Sequence, residues 1–287
     1  MKKIIILFLL LVSLVYPQNI YANMAAPEES DVGTSITFEN NDDLSVVNEV
    51  LDITVKGDQA NIIATYKMRN MTSNVISTLS MFLSPNVENA NVQVSQNNIP
   101  VEFTVEHYAL NYTTEIDTND WQYVVLTDPS IADTNEKNVD AISFQLNFEP
   151  HEESLIVVSY TYQLGGYPNY PYHAKRGEIE YYLSPAALWK DFKDLTINLY
   201  LDSEMPIIKS SNLEFTKISE RYYQYKSDTL PSENLKIVID ENWIQSIISS
   251  LRNPYSYILL IPIIGILAII FVIIVTIYLY RKSKRNK

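Results

Sequence analysis

Alternation of apolar and polar positions dominates the chain from residue 24 to about residue 253 and predicts β-strands. In residues 60–69 and 141–148 every second position is apolar or aromatic, which is the period of a strand that buries one face. The predicted inward side chains are Ile62, Ala64, Tyr66, Met68, Ile142, Phe144, Leu146 and Phe148. β-branched and aromatic residues predict further strands at 45–55, 75–83, 90–94, 99–106, 123–126, 154–164, 179–183, 195–201, 207–209, 213–218, 222–225 and 235–239.

Turn signals between these runs divide the chain further. Gly57-Asp58 predicts a short hairpin, and Asn97-Asn98 separates another pair of strands. The pair Gly165-Gly166 interrupts the pattern, so we place a boundary there between a β-sandwich domain, 24–165, and a second β sub-domain, 166–240. Residues 185–189 predict one helical turn with Trp189 facing inward. Many short strands and few helical patterns favour an all-β ectodomain built from antiparallel β-sandwiches.

Two helical patterns follow the strands. Apolar residues in 241–251 recur at the spacing of one helix face, which predicts a short amphipathic juxtamembrane helix within 241–256. The next 24 residues, 257–280, carry no charge, and as a helix they would measure about 36 Å, enough to span a bilayer. We predict one C-terminal transmembrane helix there, the alternative being a buried core helix. The basic tail, 281–287, is then cytoplasmic by the positive-inside rule.

The N-terminus has the pattern of a secretory signal peptide, residues 1–23. Lys2 and Lys3 precede the apolar run 4–15, and Pro17 then breaks the pattern. Twelve helical residues measure about 18 Å, too short to span a bilayer, although an uncleaved N-terminal anchor is the alternative. The expected location is a bacterial cell membrane, crossed once, with the N-terminal domain outside and the C-terminus cytoplasmic.

Composition and charge exclude several classes of function. The 287 residues include no cysteine, which excludes disulfide scaffolds, iron–sulfur centres and cysteine nucleophiles. Residues 24–280 hold all 34 acidic residues against 14 basic ones, a net charge of −20. Such a domain repels phosphate, so we expect no nucleic-acid partner. Anionic wall polymers are poor ligands for the same reason.

A family resemblance rests on several short motifs. The polar run 38–44 precedes a strand that contains Glu49, and the next strand ends in the pattern x-Y-x-x-x-N with Tyr66 and Asn70. Residues 181–189 fit the pattern Y-x-L-x-x-x-x-x-W. These elements resemble an uncharacterised family of exported bacterial β-rich proteins, a domain of unknown function, and are loosely similar to VIT domains. The resemblance implies a β-sandwich ectodomain and no known activity.

Residues that could carry chemistry are scattered. His107, His151 and His173 are isolated and form no metal-binding motif, and no nucleophile elbow or phosphate loop is present. We therefore predict a protein that is not an enzyme and has no cofactor. The acidic runs 40–43 and 117–120 offer oxygen ligands for a surface Ca²⁺ site but lack the spacing of a calcium loop, and solvated loops are the alternative.

The main functional hypothesis is a non-catalytic binding or interaction module of the bacterial cell envelope, with an envelope or membrane protein as its partner. Tyr167, Tyr170 and Tyr172 are the candidate partner-binding residues, because the neighbouring Pro168 and Pro171 stiffen the segment that displays them. Packing of these rings in an interdomain linker is the alternative. Two other hypotheses are an envelope hydrolase acting on sugars or peptides, and an accessory subunit of a larger membrane complex.

Overall fold

A computed structural model describes residue 28 and residues 30–38, 43–85, 87–111, 125–127, 137–169, 174–183, 185–186, 189–190, 192–252 and 254–285. The predicted signal peptide lies outside them, as does the acidic run 117–120. The elements in chain order are β1 (Thr37–Phe38), β2 (Leu44–Lys56), β3 (Gln59–Asn70), β4 (Ile76–Ser84), α1 (Val87–Ala90), β5 (Gln93–Gln96), β6 (Ile99–Pro100), β7 (Phe103–Asn111), β8 (Val125–Thr127), β9 (Lys137–Phe148), β10 (Glu153–Gln163), β11 (Gly165–Tyr167), β12 (Arg176–Tyr181), β13 (Asp194–Tyr200), β14 (Ile207–Ser211), β15 (Thr216–Lys217), β16 (Tyr222–Ser227), β17 (Leu235–Asp240), α2 (Trp243–Arg252) and α3 (Pro254–Arg285).

The strands form three sheets within one compact unit, which we call the β unit, and residues 247–287 belong to a second unit. The largest sheet has eight strands in the order β15-β16-β13-β2-β3-β10-β5-β6. The others have the orders β1-β4-β9-β7-β8 and β11-β12-β17-β14. Among the described strand pairs, only β2 and β13 are parallel. The prediction of a mostly antiparallel, all-β unit is therefore confirmed.

The inner face of the eight-stranded sheet packs against both smaller sheets around one core. Phe82 on β4 stacks on Tyr160 of β10 with ring centroids 6.0 Å apart, which joins the five-stranded sheet to the eight-stranded one. Tyr66 on β3 meets Tyr181 on β12, which joins the four-stranded sheet to the same face. The eight predicted inward side chains of β3 and β9 are all buried, so the period-two prediction is confirmed there.

Hairpin turns follow the predicted signals. Gly57 and Asp58 form the two-residue connection between β2 and β3, and Gly57 has a φ of +65°. Asn97 and Asn98 connect β5 to β6 with φ values of 51° and 65°, and asparagine tolerates this left-handed region better than most residues do. In both hairpins the residues allow the tight reversal that the strands require.

Three predicted elements differ from the structure. The predicted strand 99–106 is two strands, β6 and β7, which lie in different sheets. Ala90, predicted to begin a strand, ends the short helix α1. Gly165-Gly166, predicted to interrupt the strands, lies in β11, because the missing side chains let Glu28 and Ser30 approach. Glu28 exchanges two backbone hydrogen bonds with Gly166, and a Cβ on Gly165 would collide with Ser30.

Strands from both sides of the predicted 165/166 boundary share a sheet. β13 and β16 come from the region 166–240, yet β13 lies beside β2 in the eight-stranded sheet. The two regions also contribute to a single hydrophobic core. Residues of both predicted sub-domains therefore belong to the same β unit.

The C-terminal region is helical. α2 occupies the region in which the sequence predicts a juxtamembrane helix, and α3 continues from Pro254 to Arg285. No helix within the described residues combines the length and apolar character needed to cross a membrane. The transmembrane helix at 257–280 thus stays a prediction.

Trp189 faces the core, as predicted from its sequence context. Its side chain is buried, its Nε1 donates a hydrogen bond of 3.0 Å to the carbonyl oxygen of Ile36, and its ring meets that of Tyr66 edge to face. We predict that Trp189→Ala lowers the free energy of unfolding by about 3–5 kcal/mol, measured by urea denaturation of the full chain in detergent. Trp243→Ala is the control, because Trp243 is exposed. Equal unfolding midpoints for Trp189→Ala and wild type would contradict this packing.

Candidate functional site

The carboxyl of Glu49 lies completely inside the core of the β unit. Glu49 on β2 is fully buried, although carboxylates are among the side chains least often found inside proteins. A β-bulge explains its direction: Val46 pairs with Met68 and Asn48 with Lys67, which leaves one extra residue on β2. The extra residue shifts the inward face from even to odd positions. Glu49 therefore joins the inward side chains of Leu51 and Ile53.

Hydroxyl groups from separate segments hold this carboxyl. Ser35 Oγ lies 2.9 Å from Oε1 and 3.1 Å from Oε2 of Glu49, and Tyr181 donates to Oε1 at 3.3 Å. The hydroxyl oxygens of Tyr66 and Tyr181 are 3.2 Å apart, and the backbone N–H of Ile36 donates to Tyr66 at 3.3 Å. Since the single hydroxyl hydrogen of Tyr181 goes to Glu49, Tyr66 donates to Tyr181. The hydrogen bonds therefore run in one direction, towards the carboxyl.

Burial controls the ionisation of this cluster. Removal from water raises the pKa of Glu49 to about 7, and the hydrogen bonds from Ser35 and Tyr181 lower it only in part. The pKa values of Tyr66, Tyr160 and Tyr181 are raised by burial as well, so these phenols stay neutral. Within the described residues no lysine or arginine forms an ion pair with Glu49. The carboxyl thus depends on neutral donors alone.

The segment 33–36 closes over the carboxyl. Ser35 donates to Glu49 from this segment, and its next residue, Ile36, accepts the indole N–H of Trp189. Gly33 packs so closely on Tyr160 that a Cβ there would collide with the phenol oxygen. This fit requires glycine, because any side chain at position 33 would displace the segment.

The arrangement favours a structural role for Glu49. A general acid or base must come within hydrogen-bonding distance of its substrate. Glu49 is fully buried, and so are the rings of Tyr66, Tyr160 and Tyr181 around it. Its perturbed pKa would otherwise indicate a functional site. Here the perturbation arises from packing that joins two sheets.

The motifs that carry the family resemblance come together at this cluster. Glu49, Tyr66 and the pair Tyr181 and Trp189 come from three different motifs and lie in contact through the hydrogen bonds and ring packing described above. Asn70 lies elsewhere, at the end of β3, where its side-chain amide donates to the carbonyl oxygens of Asn74 at 2.7 Å and Glu149 at 2.9 Å. It fastens a turn.

Sequence reasoning did not single out Glu49 as a buried group. The strict alternation from Leu44 and Val46 places position 49 on the outer face, and only the bulge reverses this. A signal was nevertheless present, since Glu49 is in phase with Leu51, Ile53 and Val55 downstream of the bulge.

The predicted partner-binding tyrosines are only partly described. Tyr167 lies on β11, where it pairs with Arg176 of β12, and its side chain is half-buried. Pro168 beside it is buried. Tyr170 and Tyr172 lie outside the described residues, so their role as a binding surface stays a prediction.

The histidines occupy separate places. His107 Nδ1 lies 2.6 Å from Oδ1 of the buried Asp140, whose other oxygen accepts the N–H of Val87 at the start of α1. His151 occupies the turn between β9 and β10 with a φ of 57°, and His173 lies outside the described residues. In the part of the chain that the structure describes, no group of three or more histidine or acidic side chains could hold a metal. Residues 40–42 and 117–120 of the calcium candidates are outside that part.

Comparisons with known proteins show a shared fold. No protein-family model matches the chain, and no curated protein matches it. A crystal structure of a candidate nutrient-binding protein from Legionella pneumophila is similar with a TM-score of 0.52 at 12% identity, covering 78% of this chain and 75% of that one. Legionella pneumophila aminopeptidase A in complex with aspartic acid gives a TM-score of 0.29 at 11% identity, covering 71% of this chain and 23% of the enzyme. The first likeness indicates the same fold.

The raised pKa of Glu49 makes stability depend on pH. The unfolded chain loses this proton near pH 4.5, whereas the folded chain keeps it until about pH 7. The contribution of Glu49 to stability is therefore complete below about pH 4.5 and declines as pH rises, and it is lost above about pH 7, a difference of about 3 kcal/mol. Glu49→Gln keeps a neutral group of the same shape and removes this titration.

We predict that Glu49→Gln is more stable than wild type at about pH 8 by about 3 kcal/mol and loses this advantage at about pH 4. The measurement is urea denaturation of the full chain in detergent across this pH range. Asp52→Asn is the matched control, because Asp52 lies on the same strand but on its outer face. It should show the pH dependence of wild type. A constant difference between Glu49→Gln and wild type at all pH values would refute the prediction.

Proposed function

We propose that this chain is a non-catalytic interaction module of the bacterial cell envelope, in which α3 anchors the β unit to the outer side of the membrane. The β unit would bind an envelope or membrane protein, and the basic tail would lie in the cytoplasm. Two features support this function: the charge and hydropathy pattern of the sequence, and the exposure of α3.

The observation that carries the proposal is the exposure of apolar side chains all around α3. Every residue from 265 to 278 is exposed. The large apolar ones are Ile266, Leu267, Ile269, Ile270, Phe271, Val272, Ile273, Ile274, Val275, Ile277 and Tyr278. Water is a poor environment for about four helical turns of this kind, whereas lipid chains would cover them.

Polar groups in α3 agree with this environment. Thr276 is the only hydroxyl-bearing side chain between residues 265 and 277, and its Oγ1 donates to the carbonyl oxygen of Val272 at 2.8 Å in the same helix. A hydroxyl satisfied within its own helix is tolerated in lipid. The uncharged stretch 257–280 has the length of a bilayer-spanning helix, and the five basic residues in 281–287 favour a cytoplasmic tail.

The chemistry of the β unit supports binding more than catalysis. Within the described residues, the carboxyl with a strongly raised pKa, Glu49, is enclosed by hydroxyl groups, and the exposed His107 pairs with a carboxylate that also caps α1. The similar Legionella structure is described as that of a candidate nutrient-binding protein. We extend only a binding role to this chain, as part of the proposal.

The topology is tested by protease protection. We predict that protease added to intact, wall-stripped cells digests the β unit and spares an epitope placed after Lys287, because the membrane shields the tail. Detergent-permeabilised cells provide the control, in which the epitope is lost too. Loss of the tail epitope with survival of the β unit in intact cells would refute the orientation.

The binding surface is tested by replacing its tyrosines. We predict that the triple change of Tyr167, Tyr170 and Tyr172 to Ala abolishes capture of the envelope partner from solubilised membranes and leaves the melting temperature unchanged, because displayed rings supply contact area. Tyr200→Ala with Tyr222→Ala is the matched control, since these two rings stack on each other at 4.6 Å on a different part of the β unit. A lower melting temperature with intact capture would show that the loop tyrosines are structural.

A further inference from the structure

Helix α2 begins with a complete N-terminal cap. Asn242 Oδ1 accepts the backbone N–H groups of Ile244 and Gln245 at 3.0 Å, and Gln245 Oε1 accepts the N–H of Asn242 at 3.0 Å. This reciprocal pair satisfies donors that a helix start otherwise leaves open. The amide of Gln245 also donates to the carbonyl oxygen of Ser203 at 2.6 Å. The side chain of Gln245 on α2 is thus hydrogen-bonded to the β unit.

The apolar side chains of α2 are the exposed ones. They form one stripe at the spacing of a helix face. Each of them is between 45% and 73% exposed, and they are Trp243, Ile244, Ile247, Ile248 and Leu251. The polar residues Gln245, Ser246 and Ser249 are half-buried. A helix on a water-facing protein surface has the opposite arrangement. We call these five apolar residues the α2 stripe.

Charge indicates what covers the α2 stripe. Glu241 is the last acidic residue of the sequence, and α2 carries one basic residue, Arg252, and no acid, whereas residues 24–241 contain all 34 acidic ones. The other five basic residues lie in 281–287, on the far side of the membrane in the proposed topology. Anionic lipid headgroups therefore do not repel α2, whereas they repel the rest of the β unit. Tryptophan at the edge of such a stripe is typical of the interface between headgroups and lipid chains.

The short connection between α2 and α3 also favours lipid as the environment of the α2 stripe. One residue, Asn253, separates α2 from α3. If α3 crosses the bilayer, α2 starts at the level of the headgroups, where a helix with one apolar face lies in the plane of the membrane. A second copy of the chain or another protein would also cover an apolar stripe, but neither accounts for the loss of acidic residues after Glu241.

We propose that the α2 stripe is a membrane-surface binding site that inserts into the boundary between lipid headgroups and acyl chains. This inference rests on the proposed anchoring by α3. Because Gln245 connects α2 to Ser203, insertion of the stripe would hold this part of the β unit at the bilayer surface.

The absence of cysteine makes the test direct, because one introduced cysteine takes one fluorescent label. The full chain is reconstituted in vesicles of phosphatidylglycerol and phosphatidylethanolamine with an environment-sensitive dye at Ile244→Cys or Ile247→Cys. Lipids with a nitroxide near the headgroup and iodide in the water compete as quenchers. Ser219→Cys, exposed on the β unit, is the matched control. Ile270→Cys reports on α3 with a nitroxide deep in the acyl chain.

We expect dyes at positions 244 and 247 to be quenched several-fold more by the shallow nitroxide than by iodide, and the dye at 219 to show the reverse. Quenching of the α2 dyes by iodide would overturn the inference, and protection from both quenchers would show that protein covers the stripe. Deep quenching at position 270 would leave the anchoring proposal standing in either case. Its absence would refute the anchoring itself. Equal results for Ile244→Cys and Ile247→Cys exclude an effect of one substitution on folding.

Discussion

The fold of the β unit depends on keeping one carboxyl satisfied without water. Glu49 lies in the core, and its hydrogen-bond partners come from segments far apart in the chain: Ser35 before β1 and Tyr181 on β12, with Tyr66 on β3 behind them. An unsatisfied buried carboxylate would be strongly unfavourable, so these segments must all be in place together. The cluster thereby connects the eight-stranded sheet to the four-stranded sheet, and Trp189 fixes the segment that covers it.

The C-terminal helices expose apolar side chains, whereas the core of the β unit encloses a polar one. The β unit buries its apolar side chains between sheets, whereas α2 and α3 expose theirs. Both helices lie in the part of the chain that has no acidic residue. Exposed apolar area without negative charge is compatible with an anionic lipid surface. The proposed anchor and the proposed surface helix are therefore two consequences of one change in composition after Glu241.

The proposed binding role agrees with the contrast between these regions. The carboxyl of Glu49, whose pKa is raised, is enclosed in the core and joins sheets, so its hydrogen bonds serve the stability of the β unit. In the proposed function, two surfaces act on other molecules: the tyrosines near β11, which would bind the partner, and the α2 stripe, which would bind the membrane.

The sequence by itself determined which residues face inward wherever a strand is regular. Alternation identified the buried faces of β3 and β9 and the two tight hairpins, because side-chain direction and turn geometry are local properties. It did not determine that β13 pairs in parallel with β2, that residues 99–106 divide between two sheets, or that a bulge turns Glu49 inward. The pairing of β2 with β13 joins residues more than a hundred positions apart, and a bulge is defined by the register of its partner strand. These features were decided only when distant segments packed around the shared core.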